Sequence, residues 1–338
     1  MKFFIKTIPA FIALSILYLA GPAPEVPNLN GKLPEVSSDL IQLEKEIIEN
    51  EESQKNVKPD NEARIVWANS TNKQKTPYAI VYLHGFSASQ EEGNPLHRDF
   101  AERYGCNLYL ARLYGHGLNE KEAMVDLTPE NLMESAKYAV AVGKQLGEKV
   151  ILMSTSTGGT LSLYIAGENP DIAGLILYSP NIDLYDRSAT ILNKNWGLQI
   201  ARLVMGGNYM INKRESSPAS YWTKKYRLEA LISLRSLLDA TMQEEVFEKI
   251  KQPVFLGYFY KNEEVHDKVV SVPAMLEMYD QIKTPVESKR KIAFKEVGDH
   301  CLANRFKSKD LDKVKKETFR FAEEVLKLTP KIQVAKIN

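Results

Sequence analysis

Seven short β-like runs recur along the 338 residues, at Ala63 to Ala68, Tyr78 to Leu83, Asn107 to Ala111, Lys149 to Met153, Gly174 to Tyr178, Val254 to Tyr260 and Lys291 to Phe294. Several are apolar throughout. A strand with one wet face alternates apolar and polar residues, so continuous apolar strands require a sheet covered on both faces, as parallel sheets are. Helical patterns stand between them, near Asn94 to Tyr104, Pro129 to Leu146, Thr157 to Asn169, Val272 to Ile282 and Ser308 to Leu328. The repetition of strand, helix and strand predicts an α/β fold with a doubly wound, mostly parallel sheet.

One interruption, about 184 to 252, breaks the alternation with helical patterns at Trp196 to Met205 and Leu228 to Met242. An insertion of this size with its own helices is expected to form a cap over one edge of the sheet. The main folded domain is expected to span 38 to 330, opened by a surface helix over Asp39 to Glu52 with Ser38 or Asp39 as its cap. Before it, 22 to 37 is rich in proline and reads as an extended linker. Residues 1 to 21 carry Lys2 and Lys6 and then an uncharged, mostly apolar run, the pattern of a signal peptide or an N-terminal membrane anchor. Either implies an exported or membrane-anchored, extracytoplasmic protein. No cysteine follows that run, which excludes a lipid-modified cysteine there.

Charge narrows the partners. Lys plus Arg number 44 against 43 Asp plus Glu, so no global field draws nucleic acid to the chain. Two cysteines, Cys106 and Cys301, are too few for a disulfide framework or a cysteine zinc site, and Cys106 is expected to be an inert core thiol.

The chemistry concentrates in Ser154-Thr155-Ser156-Thr157-Gly158-Gly159, where a strand pattern passes into a helix pattern. A serine presented as a nucleophile on a sharp strand-to-helix turn needs small residues two before and two after it. With Ser154 as nucleophile, Leu152 would stand two before, which fails sterically. With Ser156, the flanking residues are Ser154 and Gly158, and the turn can form. The same hydroxyls could instead merely cap the helix. Thr157 then opens the helix, where its N–H and the helix N-terminus can face developing negative charge. The strand ending at Tyr82-Leu-His-Gly-Phe86 offers a second loop, with the Phe86 N–H as the other oxyanion donor. Downstream come an acidic loop, Lys261 to Val270, and Val297-Gly-Asp-His-Cys301.

The order serine, acid, histidine, together with His84-Gly85, the Gly115-His116-Gly117 turn, Ser156, Asp267 before Val269-Val270, and Gly298-Asp299-His300, resembles the α/β-hydrolase superfamily. With its inserted helical cap the chain is similar to monoacylglycerol lipases and carboxylesterases. The resemblance implies a serine hydrolase cleaving carboxylic esters through an acyl-enzyme, with Ser156, Asp267 and His300 catalytic, Phe86 and Thr157 forming the oxyanion hole, and no metal or organic cofactor. The substrate would be a small-molecule or lipid ester, monoacylglycerols among the candidates. A thioesterase, a peptidase or a carbon–carbon hydrolase would use the same triad, and a non-catalytic ligand-binding or scaffold protein on this fold is the other alternative. Glu263 and Glu264 share the acid loop with Asp267 and compete for its role. His84 and His116 are expected to brace their loops, and His97 and His266 to lie on the surface. Trp196 and Trp222 are the candidates for an acyl pocket beneath the cap, against the alternative that they form the cap's own core.

Overall fold

The computed structural model describes residues 15–212 and 218–331. Seven strands form one sheet in the order β1 (Arg64–Val66), β3 (Asn107–Leu110), β2 (Thr76–Leu83), β4 (Gly147–Thr155), β5 (Gly174–Tyr178), β8 (Val254–Phe259) and β9 (Lys289–Phe294). All pairs are parallel except β1 against β3. Each strand lies within about two residues of the run that predicted it.

Two separate apolar layers explain why those runs read as continuous. On one face Ala79, Val81, Leu83, Leu152, Leu175, Leu177 and Leu256 pack under helices α1 (Leu40–Ser53), α3 (Pro129–Leu146), α4 (Thr157–Glu168) and α8 (Val272–Gln281). On the other, Ile80, Tyr82, Ile151, Met153, Ile176, Tyr178 and Phe255 pack under α2 (Leu96–Tyr104) and α9 (Leu311–Glu324). Successive side chains of one strand point to opposite faces, so a strand roofed on both sides must be apolar at every position.

The helix boundaries follow local chemistry. Asp39 caps α1 by accepting from the amides of Ile41 and Gln42, which settles the choice between Ser38 and Asp39. Thr128 and Asn131 form a capping box at α3, with Pro129 in the first turn, and Gly105 closes α2 in the left-handed region at φ 65°. The stretch before α1 forms neither helix nor strand, yet it is not free in solvent. Leu29, Leu33 and Val36 rest on the core, and the Asn28 amide donates to Glu130 at 3.0 Å.

Between β5 and β8 the insertion contains a 3₁₀ turn at Arg187–Asn193, α5 (Gly197–Met205), α6 (Glu229–Thr241) and α7 (Glu244–Phe247). It also holds an antiparallel ribbon, β6 (Tyr209–Ile211) with β7 (Lys225–Arg227), that the sequence did not reveal, because three-residue strands are too short to display an alternation. The insertion is pinned by its own charges. The buried Arg235 guanidinium donates to Asp183 at 2.5 Å and to Asp239 one helical turn along. Most of the apolar run at 1 to 21 lies outside the described residues; its end forms a short helix, Ser15 to Leu19, against the insertion. Among the described residues no helix is long and apolar enough to cross a membrane.

Candidate active site

Strand β4 runs through the centre of the sheet and delivers Ser156 at its C-terminal end, where α4 begins. Ser156 has φ 53° and ψ −121°, a backbone conformation a serine adopts only under strain that the surroundings must hold. They do so with backbone bonds: the Ser156 amide donates to the Tyr178 carbonyl at 3.0 Å, and its carbonyl accepts from Gly159 at 2.8 Å and Asn181 at 2.9 Å.

The small residues around it have separate reasons. A Cβ on Gly158 would stand 2.0 Å from the carbonyl oxygen of Leu83 and 2.6 Å from its carbon, both backbone atoms of the neighbouring strand. Gly158→Ala is therefore expected to cost about 3 kcal/mol, the upper range for overpacking a close-packed interior. Thermal unfolding checks this, and a loss below about 0.5 kcal/mol would show that the strand can yield. Ser154, paired with Leu83 across the sheet, is fully buried and accepts a hydrogen bond from Ser162 of α4 at 3.1 Å. Thr155, to which the sequence assigned nothing, pairs with the Tyr82 hydroxyl at 3.0 Å inside the opposite layer.

Asp267 and His300 arrive from two later loops. Asp267 follows β8, 1% exposed, and its Oδ2 lies 2.6 Å from Nδ1 of His300. Its other oxygen accepts the amides of Val269 at 2.8 Å and Val270 at 3.2 Å. Burial opposes the charge on Asp267, but His300 and those two amides outweigh it and hold the carboxyl below its ordinary range. Burial likewise works against protonated His300, and Asp267, with Glu92 and Asp299, overcomes it and raises the imidazole. Of the three loop carboxylates only Asp267 meets the imidazole; Glu263 and Glu264 are exposed, and Glu263 accepts from the Tyr260 hydroxyl at 2.6 Å. Asp299 turns instead to the Cys301 amide, at 2.9 Å.

On its other side, His300 Nε2 is buried with no hydrogen-bond partner among the described residues. The amides of Phe86 and Thr157 likewise donate to nothing among them. The three groups come from three separate segments, and a bound carbonyl with its attacking hydroxyl would supply the partners they lack. The Phe86 loop is braced from behind. His84 accepts the Leu113 amide at 3.1 Å and its Nδ1 lies 2.9 Å from the Gly85 carbonyl, while His116 meets the rings of His84 and Phe86 at 5.1 and 5.7 Å. Burial drives these two imidazoles down to about 3 and about 4, so they stay neutral braces. His97 is a correction to the surface position expected for it: it is fully buried, edge-on to Tyr82 at 4.8 Å and bonded to the Gln90 carbonyl.

The insertion grips two of the loops. Thr223 donates to the Ser87 carbonyl at 2.7 Å, and Tyr226 stands edge-on to Phe86 at 5.4 Å. Leu184 bridges to Val270, and the Ser271 amide donates to Asp183 at 2.8 Å, just past Asp267 in the chain. Trp222 is buried in this region with the Lys307 ammonium 4.8 Å from its ring. Trp196 faces elsewhere, its indole N–H donating to the Leu17 carbonyl at 3.1 Å and its amide to Pro22 at 2.8 Å. Those two bonds tie Trp196 to the N-terminal segment. Both cysteines are free and buried, and burial pushes Cys106 up to about 12, the inert thiol expected. Among the described residues no group of three or more His, Cys, Asp or Glu is arranged to hold a metal ion.

Residues 74–293 match the serine aminopeptidase S33 family of hydrolases. A thermostable monoacylglycerol lipase of Bacillus sp. (strain H-257) is 30% identical over 108 residues, 32% of this chain and 42% of the lipase, so the chain matches less than half the length of that relative. Among solved structures, one of the metagenome-derived lipolytic enzymes LipS and LipT superposes with a TM-score of 0.64 at 16% identity, over 79% of this chain and 98% of the other. The Paleococcus ferrophilus monoacylglycerol lipase gives 0.56 at 16% identity, over 79% and 100%. Est1E of Butyrivibrio proteoclasticus, with ferulic acid bound, gives 0.53 at 20% identity, over 78% and 95%. At these identities the solved structures speak to the fold, which they share with this chain.

Proposed function

The chain belongs to the serine aminopeptidase S33 family of α/β hydrolases, and on that premise we propose that it is a serine hydrolase cleaving carboxylic esters with uncharged acyl chains, monoacylglycerols and other lipid-derived esters among them. The observation that carries this reading is the buried Asp267–His300 pair with its second imidazole nitrogen unpaired, taken together with a serine held at φ 53°. In this mechanism His300 Nε2 takes the Ser156 proton as Oγ attacks the carbonyl carbon, and the Phe86 and Thr157 amides receive the oxyanion. Collapse breaks the carbon–oxygen bond, and the imidazolium returns its proton to the departing alcohol. Water, deprotonated by the same imidazole, then hydrolyses the acyl-Ser156 ester. Asp267 holds the tautomer that leaves Nε2 free to accept.

The similarity to a monoacylglycerol lipase supports an ester, whereas the aminopeptidase description of the family supports a peptide bond as the second reading. Both bonds pass through the same attack, so the site alone treats them alike. The test is labelling with a fluorophosphonate, mapped by peptide mass, followed by p-nitrophenyl esters of increasing acyl length beside aminoacyl p-nitroanilides. Label on Ser156 with turnover of esters over anilides is expected. Preferred anilide turnover would replace esterase by peptidase, and stable protein that takes no label would replace enzyme by binder.

We further propose that the protein works outside the cytoplasm, released or held by its N-terminal segment. Support comes from Lys2 and Lys6 before the apolar run, and from the exposed Ile16, Leu17 and Leu19 beside an insertion that exposes Leu203 and Val204. Fractionation with N-terminal sequencing decides it: intact chain recovered in the cytoplasm would sink the idea.

A further inference from the structure

Glu92 is a charged side chain that the mechanism above does not use, 3% exposed and next to the reacting groups. It stands in a 3₁₀ turn, Gln90–Gly93, that follows the Phe86 loop. Its Oε2 accepts the Gly85 amide at 2.6 Å, and its Oε1 accepts the Cys301 thiol at 3.4 Å. Both partners are donors, as an ionised carboxylate requires. Gly85 directly precedes the oxyanion donor Phe86, and Cys301 directly follows His300.

Gly85 itself is sandwiched. A Cβ there would be 2.9 Å from the Ser156 Cβ and 3.0 and 3.1 Å from the two Glu92 oxygens, so only a glycine backbone fits between nucleophile and carboxylate. The turn is tied to the histidine loop by more than Glu92. Arg305 pairs with Glu91 at 2.7 Å, Asn304 donates to the Glu91 carbonyl at 2.7 Å, and the Arg305 amide donates to Asn94 at 3.0 Å. A buried charge is costly unless it is paired and bonded, so its retention here calls for a task.

We propose that Glu92 is a positioning residue that holds the oxyanion loop and the histidine loop in register through one carboxylate and stabilises the imidazolium form of His300. The inference rests on the reading of Ser156 and His300 as nucleophile and base. Displacing either loop by a fraction of an ångström would spoil the alignment of attack and oxyanion capture, for which small misplacements are known to be costly. The groups that bear on His300 are Asp267, Glu92 and Asp299; those on Glu92 are Gly85, His300, Lys307 and Cys301. Burial pushes Glu92 up, against the Gly85 amide and the positive charges of His300 and Lys307, which favour its ionised form.

The experiment compares the full chain with Glu92→Gln and Glu92→Ala by kcat, KM and the pH dependence of kcat/KM. Glu92→Gln keeps an acceptor for Gly85 but removes the charge. It is expected to lower kcat roughly 10-fold with KM nearly unchanged, and to move the acid limb to lower pH, since an imidazolium without that neighbour loses its proton more readily. Glu92→Ala, which also frees Gly85, is expected to lose roughly 100-fold. Wild-type kcat and an unshifted acid limb in Glu92→Gln would overturn the proposal. Should both variants fail to fold, Cys301→Ala and Cys301→Ser test the second contact: the alanine, which removes the donor, lowers kcat several-fold and the serine restores it, whereas two identical rates overturn the proposal. Fluorophosphonate labelling separates the two layers of the argument. Wild type that labels at Ser156, with Glu92→Gln labelling equally fast, defeats the role of Glu92 alone; wild type that takes no label defeats the hydrolase reading and this role with it.

Discussion

Ser156→Ala is expected to lower kcat/KM toward p-nitrophenyl esters by about 10⁴-fold or more, with the unfolding temperature nearly unchanged. The size follows from what is removed. Without the hydroxyl no acyl-enzyme can form, and the remaining amides and His300 can assist only direct attack by water, which leaves a small residual rate over solution. Stability should not fall, because Ser156 sits in a left-handed backbone conformation maintained by its own amide and carbonyl bonds to Tyr178, Gly159 and Asn181, which alanine keeps. A variant retaining more than about a tenth of wild-type turnover would place the chemistry elsewhere.

Asp267→Asn is expected to cost about 10⁴-fold in kcat at neutral pH, through the tautomer rather than the fold. The Val269 and Val270 amides donate to Oδ1 of Asp267, so an asparagine will present its carbonyl oxygen to them. Its amide nitrogen then faces Nδ1 of His300 and makes that nitrogen an acceptor. The ring proton is forced onto Nε2, where it blocks acceptance of the Ser156 proton. Asp267 also raises the imidazole, so the sign of the pH effect is fixed: the base works when neutral, and without the carboxylate the acid limb of kcat/KM moves to lower pH. Glu263→Gln and Glu264→Gln are the controls and should stay within about twofold, as surface charges away from the imidazole. If one of them, rather than Asp267→Asn, abolished turnover, the acid would have to be reassigned.

How legible the site was depends on how local each requirement is. The register of the turn could be read because the condition is steric and lies within five residues: small residues, Ser154 and Gly158, must stand two before and two after Ser156; what crowds Gly158, the Leu83 backbone, only the fold shows. The strands were legible for a similar reason, since double burial leaves its mark on every residue of a run such as Gly174–Tyr178. By contrast, nothing in the sequence around His97, with Arg98 and Asp99 beside it, signals burial. Its burial depends on α2 turning that one position toward Tyr82, a contact no local pattern records.

The sequence by itself determined the α/β layering, the place of the insertion and the order of serine, acid and histidine, because periodicity, turn sterics and motif order are properties of neighbouring residues. Only the tertiary structure decided which carboxylate meets His300, that Thr155 bonds Tyr82, that Trp196 turns to the N-terminal segment, and that Glu92 reaches both Gly85 and Cys301. Most of these contacts join residues tens to hundreds of positions apart, and the Glu92–Gly85 bond spans a turn whose course sequence leaves open. Distances of that kind are fixed by how the loops close over the C-terminal edge of the sheet, and a carboxylate between two donors is recognisable as a tie only once both donors are in place.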